Sequence, residues 1–380
     1  MKKYGVILLE IILILCVETV LLLGCRSKDI PITNSESSEC EYEEVRQENI
    51  NERNIENEDI VDISKAEYTY DEMVEDLDLL NNIYKGKINI NVIGSTYDER
   101  NIYEIIFGDE NAKNHVLIHA GIHGDEYLNC LLLMKQLEYY LKSYDTGNYN
   151  GISYKTLFKE TAFHVVPMVN PDGVTISQSG IDNINNPNLK KCISECYKED
   201  LQDNYTSDSY KNYLRKWKSN ARGVDLNRNF NADWDSIHQS SHPSFENYKG
   251  AKYESELETQ ALVKLTNEYN FAASISYHSS GNLIYWDYKD SVNRNECSNL
   301  ADVAVKLTNY QKALSDSNYS NVVSGGYKDW ASSQKANPVP SITIESGNGT
   351  CPLDISEFDN LFKKNMDIWA AYGYYFVNRK

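Results

Sequence analysis

An apolar, partly β-branched run, Val116-Leu117-Ile118, leads into His119-Ala120-Gly121-Ile122-His123-Gly124-Asp125-Glu126. A segment from Tyr127 to Leu141 follows, in which Leu128, Leu131, Leu132, Met134 and Leu137 recur at roughly helical spacing. The first run reads as a buried strand and the later period as one face of a helix. The eight residues between them therefore lie where a strand hands over to a helix, the place where ligands bind in an open α/β sheet. Gly121 and Gly124 permit backbone geometries that other residues resist. His123 and Glu126 are three apart, so at a first helical turn they can aim at one point. An imidazole nitrogen and a carboxylate are two of the three donors of a His₂Glu metal site. Alone, the pair describes equally well a solvent-facing His and a first-turn Glu favoured by the helix dipole.

The rest of the chain repeats the alternation. Thr69-x-x-Glu72 is a capping box ahead of Met73, Leu77 and Leu80. Strands are expected at Ile88 to Ile93, Ile102 to Phe107, Phe163 to Val169, Phe271 to Tyr277, Leu283 to Trp286 and Ser341 to Ile344. Helices are expected at Glu256 to Asn267, Asp302 to Leu314 and Phe362 to Phe376. Asn170-Pro171-Asp172-Gly173 reads as a turn, and the polar stretch from Val174 to about Tyr213 as a long surface excursion. Alternating elements of this kind predict an α/β fold, with helices layered on both faces of a central mixed, mostly parallel, twisted sheet. No dinucleotide fingerprint is present, because the glycines at 121 and 124 lack a third in register.

The N-terminus has its own organisation. Lys2 and Lys3 precede an apolar run to Leu23, and Leu22-Leu23-Gly24-Cys25 resembles a bacterial lipobox, in which the Cys is lipidated. This pattern fits an export signal; an uncleaved membrane anchor is the other reading, since Glu10 and Glu18 sit inside the run. Both place the remainder outside the cytoplasmic membrane. Residues 26–65 are polar and rich in Glu, Asn and Ser, and read as a disordered acidic tether; a folded domain is expected over 66–380. The net charge of −19 argues against nucleic acid as a partner, since phosphate binding needs basic patches. Cys192 and Cys196 raise a metal or disulfide question that one pair does not decide, and Cys130 reads as a buried thiol.

Four more stretches fall at strand ends or loops: Asn220-Ala221-Arg222-Gly223-Val224-Asp225-Leu226-Asn227-Arg228-Asn229-Phe230, Tyr277-His278-Ser279-Ser280-Gly281, Ser324-Gly325-Gly326-Tyr327-Lys328-Asp329-Trp330 and Thr343-Ile344-Glu345-Ser346-Gly347. Together with Ile93-Gly94-Ser95, Arg100 and His123-x-x-Glu126, and in this order, they resemble the zinc carboxypeptidases related to carboxypeptidase A. The resemblance runs from about Ala66 to the C-terminus. It implies that His123, Glu126 and His278 hold one zinc per chain, with a fourth position open to water. It further implies Glu345 as general base, and Asn227 with Arg228 as the holders of a substrate carboxylate through a bidentate fork. Arg222 is the expected oxyanion cation, with Lys218 in reserve. The remaining histidines are expected to be structural or solvent-facing. One departure stands out: the family carries a mobile Tyr three residues before the Ser-Gly-Gly loop, and Asn321 stands there, with Tyr319 and Tyr327 nearby.

Within the family, Val169-Asn170-Pro171-Asp172-Gly173, Trp217-Lys218 and the run from Tyr277 to Trp286 resemble bacterial γ-D-glutamyl-diamino acid peptidases. That likeness implies hydrolysis of the γ-D-glutamyl–meso-diaminopimelate bond of cell-wall stem peptides, a substrate that an exported, membrane-tethered protein would meet. Lys328 is then expected to hold the distal carboxylate of diaminopimelate. A general metallocarboxypeptidase acting on peptide C-termini and a catalytically inactive wall-binding module are the alternatives.

Overall fold

The computed structural model describes residues 59–313 and 324–379. The expected signal segment with Cys25, the tether up to residue 58, and Tyr319 and Asn321 lie outside the described residues. The packed body starts earlier than expected. Ile60 and Val61 are buried, and Asp59 pairs with Lys135 at 2.8 Å and Lys142 at 2.6 Å. The apolar pair Ile60-Val61 supplies what the polar tether before it lacks.

In chain order the strands are β1 (Ile88–Ser95), β2 (Asn101–Phe107), β3 (Asn114–His119), a short hairpin of β4 (Asn148–Tyr149) and β5 (Ile152–Ser153), then β6 (Thr161–Val166), β7 (Ala273–His278), β8 (Leu283–Tyr285), β9 (Gln311–Lys312) and β10 (Ser341–Glu345). The helices are α1 (Tyr70–Ile83), α2 (Leu128–Ser143), α3 (Tyr154–Glu160), α4 (Pro171–Ser179), α5 (Pro187–Gln202), α6 (Tyr210–Arg215), α7 (Leu257–Glu268), α8 (Arg294–Thr308), α9 (Tyr327–Ser333), α10 (Phe358–Asn365) and α11 (Ile368–Asn378). The main sheet has eight strands in the order β1-β2-β6-β3-β7-β10-β8-β9. Four of its pairings are parallel and three antiparallel. Every residue of β6 and β7 is buried, as strands covered on both faces require. This is the expected mixed, mostly parallel α/β architecture.

The strand order locates the site. After β3 the chain adds β6 on one side of it and later β7 on the other. The order therefore reverses at β3, and a crevice opens beyond the carboxyl ends of β3 and β7. β10 lies beside β7 in parallel register, with Glu345 opposite His278.

Four expectations change, the first being the helix expected at Asp302 to Leu314, which runs over Arg294–Thr308 and gives way to a strand at Gln311–Lys312. Asn170-Pro171-Asp172-Gly173 starts α4 instead of making a turn: Asn170 Oδ1 accepts from Gly173 N at 2.9 Å and Pro171 takes the first turn. An Asn cap followed by Pro is equally a helix start. The expected surface excursion from Val174 holds α5, α6 and a core of its own. Ile176, Leu189, Ile193, Cys196, Tyr213 and Trp217 pack together there, and polar residues on the outer face of α5 dilute the helical period. The single closing helix is two, α10 and α11. The capping box at Thr69 forms as expected, and Arg100 bridges Asp98 at 2.7 Å and Asp172 at 2.9 Å.

His119, at the end of β3, is fully buried and shares a 2.8 Å hydrogen bond with Ser276 Oγ. Burial and the neighbouring His278 hold its pKa down at about 3. The unfolded chain would bind the proton near 6.5, so stability is complete above that pH and falls as pH drops toward about 3. One proton costs about 1.4 kcal/mol per pH unit in that window. Urea unfolding across pH 3 to 7 should show His119→Gln losing one proton's worth of this slope; an unchanged slope would refute the assignment.

Candidate active site

His123 and Glu126 sit in the turns between β3 and α2, and backbone packing holds them there. Gly121 has φ +63°, and a Cβ on it would meet Cys130 Sγ at 2.6 Å. Gly124 is needed for a different reason: its Cβ would lie 2.4 Å from the Gly173 backbone and 2.6 Å from Trp217 O. Gly124 N donates to Lys218 O at 3.0 Å. The buried Asn170 amide ties the layers together, donating to Ile122 O, Lys218 O and Ser219 O at 3.1 to 3.3 Å. The loop after β3, the start of α4 and the segment 217–219 are thus one unit.

His123 Nδ1 lies 2.8 Å from Glu126 Oε1, and His278 Nδ1 lies 2.9 Å from Glu126 Oε2. Donor atoms of all three residues fall within 4.8 Å of one another, and all three are buried. On its other side His123 Nε2 faces Asp225 Oδ1 at 3.2 Å. A carboxylate only accepts, so without a metal both ring nitrogens donate, and zinc binding would displace the Nδ1 proton and leave Nε2–H on Asp225. Two nitrogens turned to one carboxylate are a donor set that fits a zinc ion, with Asp225 orienting one of them from behind. Against the effect of burial, Glu126 and Asp225 push His123 up to about 10. Glu126 is held well below the usual carboxylate range, where burial is outweighed by His123, Lys218 and His278. The sequence marks Asp225 only as an acid two residues before Asn227, and its burial beside His123 is visible in the structure alone. Asp225→Asn should weaken zinc binding by roughly 10–100-fold, the usual effect of losing such a partner. Chelator competition would measure it, and unchanged affinity would rule out the orienting role.

Glu345 closes β10 in register with His278, so both side chains emerge on the same face at the sheet's carboxyl edge. Its carboxylate takes no hydrogen bond from the described residues, and burial, aided by Glu126, raises its pKa. Arg228 donates to Gln239 Oε1, Asn227 O and Asn247 Oδ1 at 3.0 to 3.3 Å. These partners are neutral, and it pairs with no carboxylate among the described residues. Asn227 Oδ1 accepts from Tyr327 N at 3.1 Å, which joins it to the glycine loop.

Two expected residues are placed otherwise. Arg222 is exposed and turned outward: it donates to Tyr97 OH at 2.7 Å, lies 4.6 Å from that ring's centroid and is 3.5 Å from Glu256. The reserve residue, Lys218, points inward, with Nζ 3.2 Å from Glu126 Oε1. Lys328 is neutralised. Its ammonium donates to Asp287 O at 2.8 Å and is paired with Asp329, because an acid follows it directly on the short helix α9. Tyr327 does not stand in for a mobile tyrosine: it is fully buried, with its hydroxyl 3.0 Å from Thr266 Oγ1 and its ring against His119. Cys130 is a buried thiol, as expected, and of the two places left open for His119, structural or solvent-facing, it takes the structural one. Cys192 and Cys196 are both free thiols.

Residues 73–367 match the zinc carboxypeptidase family. Gamma-D-glutamyl-L-diamino acid endopeptidase 1 of Lysinibacillus sphaericus is 29% identical over 307 residues, covering 80% of this chain and 72% of that protein. Among solved structures, thrombin activatable fibrinolysis inhibitor superposes with a TM-score of 0.67 at 20% identity, covering 89% of this chain and 81% of its own. Carboxypeptidase A from Helicoverpa armigera gives 0.55 at 17% identity, covering 88% and 79%. At these identities the structural likeness speaks to the fold.

Proposed function

This chain belongs to the zinc carboxypeptidase family, and on that premise we propose that it hydrolyses the γ-D-glutamyl–meso-diaminopimelate bond of cell-wall stem peptides. The family's zinc chemistry makes it a metallopeptidase. The observation that carries the reading is the arrangement at the sheet edge: an unspent carboxylate, Glu345, in register with His278, and an Arg228 fork that meets only neutral groups. The likeness to the L. sphaericus endopeptidase supports the substrate.

Held by His123, Glu126 and His278, the zinc would supply Lewis acidity at the scissile carbonyl and lower the pKa of water nearby. Glu345 takes the proton of the attacking water and delivers it to the leaving amine. Lys218 neutralises the oxygen that becomes negative as the carbonyl turns tetrahedral. Arg228 and Asn227 hold the carboxylate next to the cut bond. The polypeptide itself performs positioning, proton transfer and charge neutralisation.

The test is mass spectrometry of L-Ala-γ-D-Glu-meso-diaminopimelate after incubation with the protein. Release of diaminopimelate is expected. Cleavage of ordinary α-linked peptide C-termini without any of this release would favour a general metallocarboxypeptidase and remove the proposal. On the sequence pattern at Cys25 we also place the protein outside the cytoplasmic membrane on a lipid anchor. Cys25→Ser should shift it from the membrane to the soluble fraction, and unchanged fractionation would favour the uncleaved helix.

A further inference from the structure

The side chain that reads the residue on the amine side of the cut bond has to be sought elsewhere than Lys328, whose charge is already met by Asp329. The loop 244–248 forms a wall of the site. Phe245 O accepts from Lys218 N at 2.9 Å and from Ser219 N at 3.0 Å. Asn247 N donates to Asp225 Oδ2 at 2.9 Å, and Asn247 Oδ1 accepts from Arg228 at 3.3 Å. The residues on both sides of Glu246 are therefore fastened to the groups that flank the metal ligands and the substrate carboxylate. Glu246 itself is half-buried and takes no hydrogen bond from the described residues. Burial raises its pKa, while Lys218, His123 and Arg228 act on it in the opposite sense.

The other acids in this region have defined partners or tasks. Asp225 is engaged by His123, Asn227 N and Asn247 N. Asp329 pairs with Lys328 and accepts from Ser324 Oγ. Asp233 accepts from Tyr288 OH and pairs with Lys289. Asp125 is only 2% exposed, which closes it to a substrate group. Glu345 serves as the base in the mechanism above. Glu246 is a partly solvent-reachable carboxylate with no such commitment, next in the chain to the Asn247 that accepts from Arg228 and donates to Asp225.

We propose that Glu246 is a specificity residue that receives the side-chain ammonium of a diamino acid whose own carboxylate is held by Arg228. The proposal rests on the γ-D-glutamyl reading above. Its chemistry is charge matching in a partly desolvated pocket: a diamino acid brings one carboxylate and one surplus ammonium, and the wall offers one guanidinium and one carboxylate. An ammonium that pairs with Glu246 recovers the cost of burying that carboxylate, whereas a neutral side chain leaves the cost in place. Selection thus falls on the second amine, which lysine and diaminopimelate share, and not on the distal carboxylate that only diaminopimelate has.

Two synthetic peptides separate the possibilities: γ-D-glutamyl-L-lysine and γ-D-glutamyl-L-norleucine, which keeps the aliphatic chain and lacks the amine. In the zinc-loaded protein, kcat/KM for the lysine peptide should exceed that for the norleucine peptide by roughly tenfold or more, a ratio within reach of pocket contacts. Glu246→Gln should bring the ratio near one, with the fall in the lysine peptide, and Glu246→Asp should keep part of the preference. Equal kcat/KM for the two peptides in the unaltered protein would overturn the proposal. So would a preference that survives in Glu246→Gln, or a loss of equal size on both peptides, which would make Glu246 an electrostatic support for Lys218. An N-acyl α-linked dipeptide run in parallel guards the premise: its turnover beside none of either γ-linked peptide would remove the γ-D-glutamyl reading, and this proposal with it.

Discussion

Glu345→Gln should retain its zinc and lose on the order of 10²–10⁴ in kcat, the usual worth of a positioned proton acceptor. The substitution keeps shape and removes the capacity to take a proton. Glu345 is not one of the metal-holding residues, and its carboxylate takes no hydrogen bond from the described residues, so little else changes with it. Its backbone stays fixed by the parallel ladder to β7, from Ser341 opposite Ser274 to Glu345 opposite His278. The variant should therefore fold and load metal normally. Elemental analysis and steady-state kinetics on the same preparation check both halves. Near-normal turnover would remove Glu345 from the proton path, and loss of zinc alongside activity would recast it as a support for His278.

How much of this was legible follows from how local each signal is. His123 and Glu126 were readable because both donors and the glycines that shape their turn sit within a few residues, between a strand and a helix of plain period. His278 and Glu345 were readable as polar residues at the ends of expected strands, with roles that only the likeness to zinc carboxypeptidases supplied; their pairing in register is a property of the sheet that no single run contains. What escaped depends on contacts far along the chain. Which of Lys218 and Arg222 faces the crevice is decided by Gly124 N on Lys218 O, by Phe245 O on Lys218 N, and by Tyr97 waiting outside for Arg222. The fate of Lys328 is set by its neighbour Asp329 and by the distant Asp287 carbonyl. The helices between Val174 and Tyr213 were hidden because a small satellite core needs only a narrow apolar stripe, and Asn, Ser and Lys fill the remaining positions.

The two cations in the 217–223 segment should separate in kinetics. Lys218 lies inward with Nζ 3.2 Å from Glu126 Oε1, and Glu126 and Asp125 keep its pKa above the ordinary lysine value despite burial, so it is charged at any working pH. A fixed charge in a partly water-excluded site acts on the developing oxyanion more strongly than it would in water, and removing one such group costs roughly 10²–10³ in kcat. Lys218→Met should show that loss with KM little changed, since a group that acts on the transition state alone lowers kcat and kcat/KM together. Arg222, held outside by Tyr97 and Glu256, has no reach to that oxygen, and Arg222→Met should stay within a few-fold of the parent. Lys218→Arg should recover part of the rate, because the charge returns with a different shape. Zinc content must be measured on each variant, given how close Lys218 stands to Glu126. A loss in Arg222→Met as large as that in Lys218→Met would return the oxyanion role to Arg222.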